Sequence, residues 1–113
     1  MRPLEDPADL TQVMEADVAI LYKHSPVCSI SRAAMEEVRR FVERRPDVPV
    51  FVMDVVRQRE LARRTAEQLG IRHQSPQVIV LRGGAPQHDA SHRQITAQVL
   101  EEWTRSAERI EGR

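Results

Sequence analysis

The chain has 113 residues, 41% hydrophobic and 30% charged, and its 17 basic and 17 acidic side chains cancel to a formal charge of +0. That length suits one compact domain, residues 1–113, burying a little over ~60% of its unfolded surface, and the balanced charge excludes a phosphate-tracking nucleic-acid surface. A single cysteine excludes an intramolecular disulfide, and no apolar run approaches the roughly 18 residues of a membrane span, so a cytoplasmic domain with no membrane or nucleic-acid partner is expected.

Pro7–Glu15 (PADLTQVME) reads as a short leading helix with Pro7 in its first turn, preceded by an acidic opening that lacks the apolar core of a signal peptide. VAILY, Val18–Tyr22, is a continuous apolar run suited to a buried strand, and KHSPVCS then forms a loop broken by Pro26. From Ile30 to about Arg45 the residues Ile30, Ala34, Val38, Phe41 and Val42 recur at helical spacing, and Pro46 and Pro49 end that helix. Val50–Val55 (VFVMDV) is rich in β-branched residues and predicts a second buried strand. Arg59–Leu69 returns to helical spacing through Ala62, Ala66 and Leu69, with Gly70 as its stop. Gln77–Leu81 predicts a third strand, and Gly83-Gly84 turns it into a short fourth strand near Gln87–Ala90. Thr96 caps a final helix carrying Val99, Trp103, Ala107 and Ile110 along one face.

A helix-length connection between the first two strands makes them parallel, whereas the glycine turn makes the last two antiparallel. The sum is an α/β domain with a mixed four-stranded sheet flanked by helices and an extra N-terminal helix, an order shared with the thioredoxin-like fold.

Cys28 lies between the first strand and the helix that follows it. A thiol at a helix N-terminus meets unpaired N–H groups and the positive end of the helix dipole, which stabilise the thiolate, the nucleophilic form. Ser31 falls on the first turn, where its hydroxyl can donate to sulfur, and His24 and Arg32 can add positive character. Ser75-Pro76 precedes the third strand; a cis peptide bond there would present backbone groups to an extended substrate, so that Cys28 and Pro76 form one site. The bland alternatives are an inert buried cysteine and a proline that merely ends a loop.

His24, His73, His88 and His92 lack the spacing of a metal site: there is no CxxC, and HxxxH occurs only as His88 to His92 in a turn region, so no metal is expected. Gly83-Gly84 has no phosphate-loop context, and no GxSxG or catalytic triad is evident. The arginine clusters Arg39, Arg40, Arg44, Arg45 and Arg57, Arg59, Arg63, Arg64 alternate with glutamates at helical spacing and read as solvated helix faces.

Taken together, KHSPVCSIS (Lys23–Ser31), GIRHQSPQVIVLRGG (Gly70–Gly84) and ASHRQIT (Ala90–Thr96) resemble the monothiol bacilliredoxin family, the YtxJ-like thioredoxin-fold proteins. The resemblance places the KHS element on Lys23, His24 and Ser25, the active-site thiol on Cys28, and the Ile-Ser after it on Ile30 and Ser31. It places the SPQ element with its cis proline on Ser75, Pro76 and Gln77, and the SH pair on Ser91 and His92. Where the family typically reads TCPIS, Val27 and Ser29 flank the thiol here and a proline stands earlier, at Pro26; Ser29 thus regains an N–H that a proline lacks, which alters the helix start and with it the thiol.

The resemblance implies a monothiol thiol-disulfide oxidoreductase of redox homeostasis and stress response. Cys28 would take bacillithiol from S-bacillithiolated client proteins and become S-bacillithiolated itself. It also implies that free bacillithiol is the co-substrate that regenerates Cys28, coupled indirectly to a flavin-dependent bacillithiol disulfide reductase, with no bound cofactor and a monomeric protein. Two other readings of the same residues are a non-catalytic thioredoxin-like binding module and a redox sensor modified at Cys28. The terminal IEGR, Ile110–Arg113, has no assigned role.

Overall fold

The computed structural model describes residues 1–27 and 29–109. Five strands form one sheet in the order β1-β3-β2-β4-β5: β1 is Arg2–Pro3, β2 Val18–His24, β3 Val50–Asp54, β4 Gln77–Arg82 and β5 Ala85–Ser91. The helices are α1 (Pro7–Glu15), α2 (Ser29–Arg44), α3 (Arg59–Leu69) and α4 (Ala97–Glu108), with a 3-10 turn over His92–Gln94 before α4. β2 runs parallel to β3 and antiparallel to β4, and β4 and β5 form the hairpin. This is a thioredoxin-like sheet with one strand more than the four expected. The extra strand, β1, is two exposed residues defined only by parallel pairing with Phe51 and Val52, so it carries no apolar pattern of its own.

Alternation along β2 divides the core. Val18, Ile20 and Tyr22 pack under α2 and α4, whereas Ala19 and Leu21 pack with α1 and α3 on the opposite face. α1 starts with a reciprocal cap: the Asp6 carboxylate accepts from Asp9 N–H at 3.1 Å, and the Asp9 carboxylate accepts from Asp6 N–H at 3.2 Å, with Pro7 following where no N–H is needed. α3 ends at Gly70, whose φ of 68° is open to glycine.

α2 keeps its expected stripe, with Ala34, Val38 and Phe41 buried and Val42 packed against the core, adds a buried Ser31, and leaves Ile30 half-buried, whereas the face of α4 is rotated from expectation. α4 rests on Ala97, Leu100, Thr104 and Ala107, with Val99 and Trp103 at the flank; Ile110, expected on the same stripe, lies outside the described residues. Thr104 can be buried because its hydroxyl donates to the Leu100 carbonyl at 2.6 Å. β2 also runs two residues beyond Tyr22, so Lys23 and His24 belong to the strand and not to the loop.

Candidate active site

The end of β2 sends neighbouring side chains to opposite faces of the sheet. On the α2 face, the Tyr22 hydroxyl donates to the Ser31 carbonyl at 3.1 Å and lies 3.0 Å from His24 Nδ1. With its proton given to Ser31, the phenol oxygen accepts from Nδ1–H, which leaves Nε2 of His24 as the lone-pair nitrogen. Burial lowers the His24 pKa below its usual 6.5, opposed by the Asp54 carboxylate and reinforced by Arg39. Ser31 is fully buried on the first turn of α2, and its hydroxyl accepts from Ser25 N–H at 3.3 Å, tying the end of β2 to the start of the helix. Arg32, the next residue, is exposed.

On the other face, Lys23 is fully buried, with Nζ 3.0 Å from His73 Nδ1 and 3.0 Å from Gln77 Oε1. Gln77 organises the segment before β4: its Oε1 also accepts from Gln74 N–H at 3.3 Å and its Nε2 donates to the Arg72 carbonyl at 3.1 Å. Within that segment the Ser75-Pro76 bond is cis. The Pro76 carbonyl accepts from His92 N–H at 3.0 Å, which joins the loop to the start of the 3-10 turn, where His92 has a φ of 55°. Ser75 lies outside the strands, its buried hydroxyl has no hydrogen-bond partner among the described residues, and neither do its main-chain N–H and C=O.

The β2/β4 ladder ends at Lys23 opposite Gln77, so His24 and Pro76 are the next residue on each side. The fold therefore brings His24, Ser31, Ser75 and Pro76 to one end of the sheet, while Arg32 stays on the outer surface of α2. Cys28, expected at this junction, lies outside the described residues. A groove of about 450 Å³ opens beside the start of α2, lined by Ser29, Ile30 and Glu37 on the helix and by His92, Arg93 and Thr96 across from it. Its far wall is fixed to α2, because Glu37 accepts from Ala97 N–H, the first amide of α4, at 2.9 Å. Of the remaining histidines, His88 is stacked on Trp103 with centroids 4.9 Å apart, and among the described residues no three metal-ligating side chains gather.

The family model described as "Monothiol bacilliredoxin BrxC" matches residues 2–100, nearly the whole chain. The chain belongs to the monothiol bacilliredoxin family. A bacilliredoxin is a thiol oxidoreductase, and the structural neighbours agree on the scaffold. One solved structure, described as a candidate oxidoreductase with a thioredoxin fold, shares 26% identity with a TM-score of 0.84, covering 95% of this chain and 92% of its own. A variant thioredoxin from Halobacterium salinarum superposes with a TM-score of 0.76 at 19% identity, over 97% of this bacilliredoxin and 94% of that chain. Fasciola hepatica thioredoxin superposes at 0.73 and 18% identity, over 95% and 99%. The last two establish the fold alone.

Sequence reasoning had no role for Tyr22, Lys23, His73 or Gln77 of this bacilliredoxin beyond the motifs that contain Lys23, His73 and Gln77 and the metal test that His73 failed. A signal existed for Lys23: a lysine that directly continues a run of five apolar residues is in register to be buried. No local pattern marked the contact of His73 with Lys23, 50 residues away.

Proposed function

We propose that this bacilliredoxin removes bacillithiol from mixed disulfides on client proteins, with the Cys28 thiolate as nucleophile. The observation that carries the reading is that Cys28 is the chain's one cysteine, inside the span matched by the monothiol family. Attack of the thiolate on the bacillithiol sulfur forms a disulfide between Cys28 and the cap, breaks the client disulfide, and leaves the electron pair on the client sulfur. No second cysteine can displace the cap, so free bacillithiol attacks next, releasing Cys28 and forming bacillithiol disulfide. A flavin-dependent reductase would then reduce that disulfide. The chain itself needs no bound cofactor and acts as a cytoplasmic monomer in this scheme.

The surroundings support exchange at this end of the sheet. Ser75 offers a main chain without a hydrogen-bond partner among the described residues beside the start of β4, suited to short antiparallel pairing with an extended client or cap. Burial lowers the His24 pKa and favours its neutral form, whose lone pair stands on Nε2, and Ser31 fills the first turn of α2 with a buried hydroxyl where a dithiol relative would carry its second cysteine. In this role Ser31 and His24 steady the thiolate, Arg32 adds a distant positive charge, and Ser75 and Pro76 hold the substrate.

Intact-mass spectrometry tests the reading. The protein and its Cys28→Ser variant are each mixed with a client carrying either bacillithiol or glutathione on cysteine. The cap should move to the unmodified protein alone and faster from the bacillithiolated client; transfer of neither cap would refute the oxidoreductase reading, and equal transfer of both would refute the choice of bacillithiol.

A further inference from the structure

Lys23 is a buried cation that the exchange scheme leaves unused. Enclosing an ammonium is costly unless it is paired and hydrogen-bonded, yet the acceptors around Nζ are two neutral groups, His73 Nδ1 and Gln77 Oε1, each at 3.0 Å. The ladder neighbours of Lys23 are Met53 on β3 and Gln77 on β4, both uncharged, and Asp54 is paired with His24 one residue further along. Burial alone lowers the Lys23 pKa, to about 8.

Of the two acceptors, the Gln77 amide is pinned by Gln74 and Arg72 and exchanges no proton. His73 is different. Its Nδ1 faces the buried ammonium, its ring belongs to an exposed residue, and it stands two residues before Ser75, whose main chain has no hydrogen-bond partner among the described residues. Burial, and after it the charge on Lys23, lowers the His73 pKa, and because Nδ1 accepts from the Lys23 ammonium, the proton of the neutral ring stands on Nε2. A neutral imidazole between a proton donor and a substrate is suited to pass a proton by changing tautomer.

We propose that Lys23 and His73 form a proton relay that protonates the thiolate released from a mixed disulfide when Cys28 attacks it, an inference that rests on the exchange reading above. In the step, the disulfide between leaving group and cap breaks as the disulfide between Cys28 and cap forms. The electron pair goes to the leaving sulfur, that sulfur takes the proton from His73 Nε2, and Nδ1 takes one from Lys23 Nζ. The ammonium becomes an amine, the thiolate becomes a thiol, and nothing is oxidised or reduced beyond the exchange itself. Solvent returns the proton to Lys23 through the same ring. An ordinary thiol titrates near ~8.5, close to the value of about 8 for Lys23, so the transfer is nearly balanced.

The relay matters only where the leaving thiolate is basic, and that is its test. Single-turnover rates are measured for the protein, Lys23→Met and His73→Gln with two small mixed disulfides of bacillithiol. One releases 2-mercaptoethanol, a basic alkanethiol; the other releases 5-thio-2-nitrobenzoate, whose aromatic thiolate leaves without a proton. Each variant should lose about 100-fold with the alkanethiol probe, the low end for a positioned acid, and less than about twofold with the aromatic one. The double variant should be no slower than either single one. Equal losses with both probes, or no loss with the alkanethiol probe, would overturn the relay. Absence of transfer in the unmodified protein with both probes would overturn the exchange reading and the relay together. Should Lys23→Met fail to fold, His73→Gln, at an exposed ring, carries the test alone.

Discussion

Replacing Lys23 by methionine keeps an unbranched side chain one atom shorter, removes its charge, and makes a specific demand on stability as a function of pH. In the folded chain the ammonium titrates at about 8, against 10.5 when it is unfolded and solvated. Between those values the unfolded chain holds the proton and the folded chain does not. Because stability rises with pH wherever the unfolded state binds more protons, the folded state gains about 1.4 kcal/mol per pH unit across this window. Well below pH 8 both states are protonated and the group contributes no slope. From pH 7.5 to pH 9.5, integration with those two pKa values gives a gain of about 2 kcal/mol for the unmodified protein. Lys23→Met lacks the group, so urea unfolding of the two proteins across this range should show a stability difference that shifts by about 2 kcal/mol in favour of the unmodified protein. Groups that titrate alike in both proteins cancel in that difference, and starting above pH 7 avoids the titration of His73. A difference independent of pH would show that Lys23 keeps an ordinary pKa in the fold, and the argument from its burial would fall.

Gly84 has a φ of 81°, and a Cβ there would come within 2.8 Å of the Met14 carbonyl oxygen, a backbone atom that cannot step aside cheaply. Gly84→Ala should therefore lower the urea midpoint, with a loss of at least about 1 kcal/mol from backbone strain alone. Gly83→Ala meets nothing within 4 Å and should cost less despite its φ of 56°; an equal loss at both positions would refute the contact with α1. His24, with its pKa held below 6.5, binds fewer protons folded than unfolded, so stability is fully present above pH 6.5 and is lost as pH falls through 6.5 toward the folded value. Nitrogen-detected NMR should find the proton of the neutral His24 ring on Nδ1, and Tyr22→Phe should release that tautomer preference.

The sheet and the order of its strands are legible because the runs at Val18, Val50 and Gln77 are apolar without interruption, as strands covered by helices on both faces must be. Polarity misleads at both ends of that rule. Arg2–Pro3 is a strand with no apolar residue, created by its neighbour Phe51 and not by its own sequence. Lys23 and His24 read as loop because they are polar, although their partners on β3 and β4 continue the ladder through them. On α4 the apolar Trp103 drew the predicted stripe to one side, whereas the helix rests on smaller residues and Trp103, half-buried, packs at the edge of the core and stacks on His88. The candidate site was legible where local chemistry marks it, in Ser31 and in Ser75-Pro76 ahead of a strand. It was not legible where groups meet across long separations, as Lys23 and His73 do, since no local pattern records a contact of that kind.

A single strand supplies both halves of the site, and this constrains how either half can vary. Tyr22 and His24 face the start of α2 while Lys23, between them, faces the loop before β4, so a register slip of one residue would exchange the two sets of partners. Ile20, Leu21, Met53 and Val78 around the strand are fully buried, which makes such a slip expensive because it would move the whole apolar set at once. The hydroxyl of Tyr22 and the ammonium of Lys23 are thereby held by the core itself, whereas the groove is lined by the outer side of α2 and the segment before α4. Positioning polar groups from a central strand costs stability at Lys23, yet it fixes their directions more firmly than a loop could. Substitutions in the groove should accordingly change which cap or client is preferred, whereas substitutions along β2 should change the exchange step itself.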